Sequence, residues 1–244
     1  IITNFLTKKH NNLSLITVSK KFSSKFNKSI KLICPRLNIW DQMNRRVKYI
    51  ISIFLLIKEI LNNRNSIVFS FQANIYCIII CKIFFIKIIT RSNSAPAGWS
   101  KNIFKKMIFR YFLKLSNKII VNSYEFKKDL KKQFDVDSVC IYNPLNNKEI
   151  IRNSKKKSIK IFDGNKKLRI LNIGRFTDQK DQITFLKSLK EIKNKISFSA
   201  VIVGKGELKK RLEKFIKEND LKKNVKIINF VENPYPLIKQ TELF

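Results

Sequence analysis

Apolar and polar positions along this chain change period again and again, from strand-like runs to helix-like stripes. The change is most regular in the second half. Leu168, Ile170, Leu171 and Ile173 make a short apolar run that ends at Gly174. From Asp181 to Lys193, Ile183, Phe185, Leu186, Leu189 and Ile192 then recur at helical spacing. A second apolar run, Phe198 to Val203, stops at Gly204-Lys205-Gly206-Glu207. Another helical pattern (Leu208 to Glu218) and another strand (Val225 to Phe230) follow. Strands and helices alternating over short loops predict a doubly wound parallel sheet.

The first half reads the same way. Strand-like runs lie near 13–18, 30–33, 67–70, 84–90, 118–122 and 138–142, with helical patterns between them, including Asn44–Leu61 and Asn74–Cys81. Residues 1–146 therefore predict a Rossmann-like domain large enough to bury a core. Residues 147–167 are rich in lysine and serine and read as an interdomain linker, and a second domain opens at Leu168. The helical segment Lys101–Lys118 carries an apolar stripe (Ile103, Phe104, Met107, Ile108, Tyr111, Phe112, Leu115) beside Lys101, Lys105, Lys106, Arg110, Lys114 and Lys118. A strand follows directly, so the stripe is expected to pack on the sheet; the other use of such a face is an anionic membrane surface. The longest apolar stretch, Ile75–Ile89, is interrupted by Lys82 and Lys87 and is shorter than the ~20 residues a spanning helix needs.

Charge changes this picture less than its size suggests. The formal net charge is +34, with 51 Lys and Arg against 17 Asp and Glu. The excess is mostly lysine, dispersed along the chain and accompanied by abundant Ile, Asn and Phe. These residues share adenine/thymine-rich codons, so base composition accounts for the charge. No zinc-finger spacing, aromatic nucleic-acid-binding strand or basic zipper is present, and nucleic acid is not an expected partner. His10, the single histidine, sits in a polar turn, so no Ser/His/Asp or Cys/His set exists. Cys34, Cys77, Cys81 and Cys140 lie in or beside apolar sequence and are expected to be reduced, buried thiols of a cytoplasmic protein. Cys77 and Cys81 are four apart but lack partners for a metal site.

The candidate chemistry is concentrated at Gly174, Arg175 and Lys180. A glycine turn, a guanidinium and an ammonium stand at the carboxyl end of a strand, just before a helix. Helix N-termini attract anions, and the two cations add a phosphate-shaped fork and a point charge. The pattern points to a diphosphate site; the bland alternative is two more surface cations. Gly204 and Gly206 lie in a second strand-end loop, either touching the same ligand or making a tight turn.

Taken in order, NIGRFTDQK, the V-G-K-G loop, Arg91-Ser-Asn-Ser, Ile119-Ile-Val-Asn-Ser123 and Ile141-Tyr-Asn-Pro144 resemble family-4 (group 1) glycosyltransferases. The resemblance implies an α/β GT-B fold, two Rossmann-like doubly wound parallel-sheet domains, the second truncated. It implies sugar transfer from a nucleotide-sugar donor to a glycan or lipid-linked acceptor, with retention, without a metal ion and with no cofactor. It suggests bacterial cell-surface polysaccharide assembly, in the cytoplasm or on the inner face of its membrane. Gly174, Arg175 and Lys180 fall where the family binds donor diphosphate, and Arg175 and Lys180 would be the catalytic cations. Gly204 and Gly206 would line the donor cleft. Arg91, Asn93 and Ser123, at strand ends, are acceptor-side candidates. No Asp-x-Asp metal motif is read in the chain. The family's Glu-x7-Glu segment would come after Phe244, and the front end also reads as cut, so an internal fragment of a longer protein is expected. The competing expectation is a truncated GT-B relative that binds or scaffolds without catalysing.

Overall fold

A computed structural model describes residues 2–20, 23–93, 102–162 and 167–244. Ser94, Lys101 and residues 163–166 of the expected linker lie outside the described residues. The chain divides into two compact units, Ile1–Leu145 and Asn146–Phe244.

In the first unit a short helix, α1 (Ile2–Leu6), precedes two parallel strands, β1 (Ser14–Ile16) and β2 (Lys31–Ile33). Helix α2 (Arg45–Asn62) leads to β3 (Ile67–Ser70), α3 (Asn74–Ile83), β4 (Lys87–Ser92), α4 (Ile103–Lys114), β5 (Lys118–Val121), α5 (Tyr124–Phe134) and β6 (Val139–Cys140). Strands β3, β4, β5 and β6 form a parallel sheet in that order. Side chains that suit the task start the helices: Asn44, Asn102 and Ser123 each accept the backbone N–H three residues on. The core gathers Leu56, Ile60, Ile78, Cys81, Ile88, Leu113, Val121, Leu130 and Phe134.

Two expectations change here. Phe84 and Phe85 belong to the end of α3, not to a strand beginning at 84. Phe85 takes a left-handed conformation (φ 57°) and the Ile86 amide donates to the Cys81 carbonyl at 2.7 Å, a helix-terminating turn that delays the strand to Lys87. Most of the apolar stripe along α4 is also not core, although its last member, Leu115, packs against the core. Leu113 is buried and Phe109 packs beside it, whereas Ile103, Phe104, Met107, Ile108 and Tyr111 are exposed.

The second unit begins with α6 (Asn147–Ser154) and continues through β7 (Leu168–Ile173), α7 (Gln182–Ile192), β8 (Phe198–Val203), α8 (Lys209–Glu218), β9 (Val225–Ile228) and α9 (Tyr235–Ile238). Strands β7, β8 and β9 are parallel and adjacent. Period-two alternation sends Ile170, Ala200 and Ile202 to one face, under Leu186, Leu189, Leu212 and Ile216 of α7 and α8. Leu171, Val201 and Val203 go to the other face, with Leu237 of α9 and with Ile161 and Phe162. Both faces are covered, as a parallel sheet requires.

This packing corrects the reading of 147–167 as a linker. The lysines and serines there hide a helix and two apolar residues, Ile161 and Phe162, that seal the second face of the sheet. Helix α6 lies against α9, and the Asn233 side-chain amide donates to the Asn153 carbonyl at 2.9 Å. Among the described residues no helix is long and apolar enough to cross a membrane.

Candidate functional site

The order of strands in the second unit singles out one candidate position. Connections through α7 and α8 move the chain from β7 to β8 to β9, away from one edge of β7. The chain then returns to the opposite edge: Leu171 donates to the Leu243 carbonyl at 2.9 Å and Leu243 donates to that of Arg169 at 3.1 Å. Strand β7 therefore sits where the winding reverses. In open α/β sheets ligands bind at the carboxyl ends of the strands beside such a reversal. The loop at the carboxyl end of β7 is Gly174 to Asp181.

That loop is held rigidly from below. The Gly174 amide donates to Val203 O at 3.0 Å and the Phe176 amide to Lys205 O at 3.0 Å, while Leu208 N donates to Phe176 O at 3.2 Å. The Phe176 ring is fully buried among Leu186, Ile202 and Leu212 and anchors the loop in the core. Gln182, the first residue of α7 and only 2% exposed, donates from Nε2 to the Arg175 carbonyl at 3.1 Å. Gly204 and Gly206 turn out to serve these close approaches. A Cβ at Gly204 would stand 1.9 Å from the Gly174 carbonyl oxygen, and one at Gly206 would stand 2.3 Å from that of Phe176.

Above this frame, Arg175 and Lys180 are exposed, and among the described residues neither side chain is engaged by another group. The Lys180 stem passes over Gly174, its Cγ 3.6 Å from where a Cβ would be. The surrounding basic residues are occupied: Lys205 lies over the Phe230 ring, Lys209 donates to Asn229 Oδ1 at 2.9 Å, and Arg211 faces Asp178 at 3.9 Å. The structure thus brings Gly174, Arg175 and Lys180 together with Gly204 and Gly206 beneath them.

The expected helix N-terminus is not free, however. Asp181, in the left-handed region at φ 45°, caps α7 by accepting from the Thr184 amide at 3.3 Å. Hydrogen bonds from Thr184, side chain and backbone, hold its carboxyl below the usual range. The protein's own carboxylate already occupies that amide.

In the first unit the acceptor-side candidates prove to do structural work. Arg91 is buried; its Nη2 donates to Ile141 O at 3.1 Å and Asn143 Oδ1 at 2.9 Å, and its Nε to Asn93 Oδ1 at 3.3 Å. It braces the end of β4 against the segment after β6. Ser123 is the N-cap of α5, accepting from Phe126 N at 3.2 Å. Arg91 and exposed Asn93 line a hollow of about 860 Å³ at the carboxyl ends of β3 and β4, walled by Tyr49, Phe71, Ile108 and Phe112; Ser123 does not.

The reading that the chain has no Asp-x-Asp triplet overlooked Asp135-Val136-Asp137. These carboxylates do not converge on a vacant centre: Asp135 pairs with Arg110, Lys114 and Lys131, and Asp137 with Lys131. Lys114 and then Lys131 hold the Asp135 carboxyl well below the carboxylate range. Among the described residues no group of three or more His, Cys, Asp or Glu could hold a metal ion. Of the cysteines, only Cys81 is fully buried, and burial pushes its thiol up to about 12.

Parallel sheets wound in this manner in two units, one ending in a glycine-arginine-lysine loop, define an α/β protein of the GT-B fold. Residues 152–244 match the family described as glycosyl transferases, group 1. It is 27% identical over 167 residues to an uncharacterised glycosyltransferase of Methanocaldococcus jannaschii, covering 62% of this chain and 40% of the relative. It is 25% identical over 164 residues to the N-acetylgalactosamine-N,N'-diacetylbacillosaminyl-diphospho-undecaprenol 4-alpha-N-acetylgalactosaminyltransferase of Campylobacter jejuni, covering 64% and 43%. Among solved structures, Anabaena HepE in complex with UDP-glucose superposes with a TM-score of 0.67 at 11% identity, over 99% of this chain and 68% of that one. The chain spans about 40% of the length of the curated relatives it matches.

Gln182 escaped the sequence reading because a polar residue at the start of a helix looks like a solvated one. Its place, three residues ahead of the apolar Phe185 and four ahead of Leu186, gave the available signal.

Proposed function

We propose that the whole protein to which this chain belongs transfers a sugar from a nucleotide-sugar donor to a glycan or lipid-linked acceptor. The observation that carries this reading is the pair of exposed, unengaged cations, Arg175 and Lys180, on a rigid loop at the winding reversal of the second sheet. As the bond from sugar to diphosphate breaks, negative charge grows on the leaving phosphate. Cations fixed where that charge develops stabilise the transition state more than the ground state. The Phe176 anchor and the Gln182 hydrogen bond fix the loop in advance, so little reorganisation is needed when the charge appears.

On this reading the cations do the work a metal ion would otherwise do, no cofactor takes part, and the donor phosphate accepts the acceptor's proton, which fits retention of configuration. The similar Anabaena protein was crystallised with UDP-glucose, which makes a uridine diphosphate sugar the first donor to test. The name of the Campylobacter relative contains a diphospho-undecaprenol, which favours a lipid-linked acceptor in bacterial surface-glycan assembly.

The test is calorimetric titration of the full protein with UDP, GDP and ADP, followed by transfer assays with the matching sugar donors. Binding of one nucleoside diphosphate together with sugar transfer supports the proposal. Binding without transfer to any acceptor would leave a nucleotide-binding scaffold, and absence of binding would remove the diphosphate site.

A further inference from the structure

The sheet β3-β4-β5-β6 of the first unit is buried on one side only. Paired residues share a face, so the registers sort its side chains into two sets. Val68, Ile88, Ile119, Val121 and Cys140 point to the helices and belong to the core with Ile78, Leu113 and Leu130. The other set is Ile67, Phe69, Ile89, Ile120 and Val139, with Ile141 just past β6, and it lies outside that core. Ile67, Val139 and Ile141 are 64%, 47% and 48% exposed, and the other three are half-buried. Parallel sheets occur almost only with both faces covered, as β7, β8 and β9 of the second unit are.

We infer that this open face is the seat of an amphipathic helix supplied by the part of the protein outside residues 1–244. A helix is the element that covers a parallel sheet. Four strands about 4.8 Å apart make a face roughly 15 Å wide, little more than the 10–12 Å of a single helix. Charge says which helix fits. Lys87 and Lys118 stand on this face at the amino ends of β4 and β5, both exposed, and neither meets a carboxylate among the described residues. Arg91, on the same face, is already held by Ile141 and Asn143. The four strands, IVFS, KIITRS, KIIV and VC, contain no Asp or Glu. The seated helix therefore carries an apolar stripe at three- and four-residue spacing, with a carboxylate where it passes the two lysines. A second copy of this chain fits poorly, because it would set Lys87 and Lys118 against their own likes within a +34 chain. The longer relatives carry polypeptide beyond the stretch that this chain matches, so a source within one protein is at hand. The inference goes beyond the transferase reading, since its test needs neither donor nor acceptor.

The experiment is maleimide labelling of the whole protein carrying Ile67→Cys or Val139→Cys, read peptide by peptide. Lys128→Cys, at an exposed position on α5, sets the rate of an open thiol. Both face thiols should label slower than it by about tenfold or more, at every protein concentration and in a monomer. A benzophenone on Val139→Cys should cross-link to a peptide from outside residues 1–244. Should the variants fail to fold, hydroxyl-radical footprinting of the wild type at Ile67, Val139 and Ile141 should show the same shielding relative to exposed Ile196. Four results would overturn the inference. They are labelling or oxidation at the open rate, protection that fades as a dimer is diluted, protection seen only with added lipid vesicles, and a cross-link that falls within residues 1–244.

Discussion

The carbonyl oxygen of Gly174 occupies the space that a Cβ on Gly204 would need, 1.9 Å away, so the ends of β7 and β8 meet backbone to backbone. The atom in the way is main chain and cannot rotate aside. Gly204→Ala should therefore lower unfolding free energy by about 2 kcal/mol or more, at the severe end of overpacking. For Gly174→Ala the nearest atoms are the Gln182 amide at 3.1 Å and the Lys180 stem at 3.6 Å, both side chains, so it should cost less. Denaturant titration of the two variants ranks them, and an equal or reversed ranking would show that the loops are less tightly joined than described.

Arg175 and Lys180 should behave in the opposite way. Neither has a partner to lose among the described residues, so Arg175→Ala and Lys180→Ala should leave stability within about ±0.5 kcal/mol. In the complete protein each should lower turnover by about 10²-fold or more, the usual scale for a group that stabilises developing charge. Thermal melts paired with transfer rates separate the two effects. Near-normal rates in both variants would remove these cations from the diphosphate site.

How much of this was legible in the sequence follows from what each signal depends on. The strand from Leu168 to Ile173 and the helix after Asp181 show in apolar spacing, because each buries its side chains locally and with the expected period. The glycine-arginine-lysine loop shows too, since residue type and order suffice. What did not show depends on partners distant in the chain. Ile161 and Phe162 look like strays in a lysine-rich stretch until Leu171, Val201 and Leu237 gather around them. Arg91 shows as a cation at a strand end, but not that Ile141 and Asn143 hold its guanidinium. The face of α4 was misassigned because periodicity reports that a stripe exists and cannot say which neighbour, if any, covers it.

The Arg169–Glu242 pair supplies a pH-dependent latch for the segment that returns beside β7. Glu242 accepts from Arg169 through its backbone N–H at 2.8 Å and its Nε at 2.9 Å, and from its Nη2, which holds the carboxyl down at about 2 against an ordinary 4.5. A carboxyl depressed by folding contributes stability that is present above its unfolded value and lost as pH falls toward the folded one. Stability should thus decline from about pH 4.5 toward pH 2, and Glu242→Gln should flatten the part of that decline due to this group. Melting temperatures across that window, wild type against variant, check it; parallel curves would mean the pair contributes nothing to folding.

Gln182 should prove to be the residue that keeps the candidate site in shape without touching a ligand. Its amide nitrogen holds the Arg175 carbonyl from a position that is 2% exposed. Gln182→Leu keeps the volume and removes the donor, leaving a part-buried carbonyl unpaired at a cost of about 1–3 kcal/mol. The consequence should be local as well as global. The Phe176 and Lys180 amides, which donate to Lys205 O and Thr177 O within the same loop, should exchange with solvent faster in the variant while amides in the middle of β8 do not. Nucleoside diphosphate affinity should fall with the loosened loop even though Arg175 and Lys180 are both present. Hydrogen exchange resolved by residue decides the matter: an unchanged loop in Gln182→Leu would mean that the Phe176 anchor alone holds the turn.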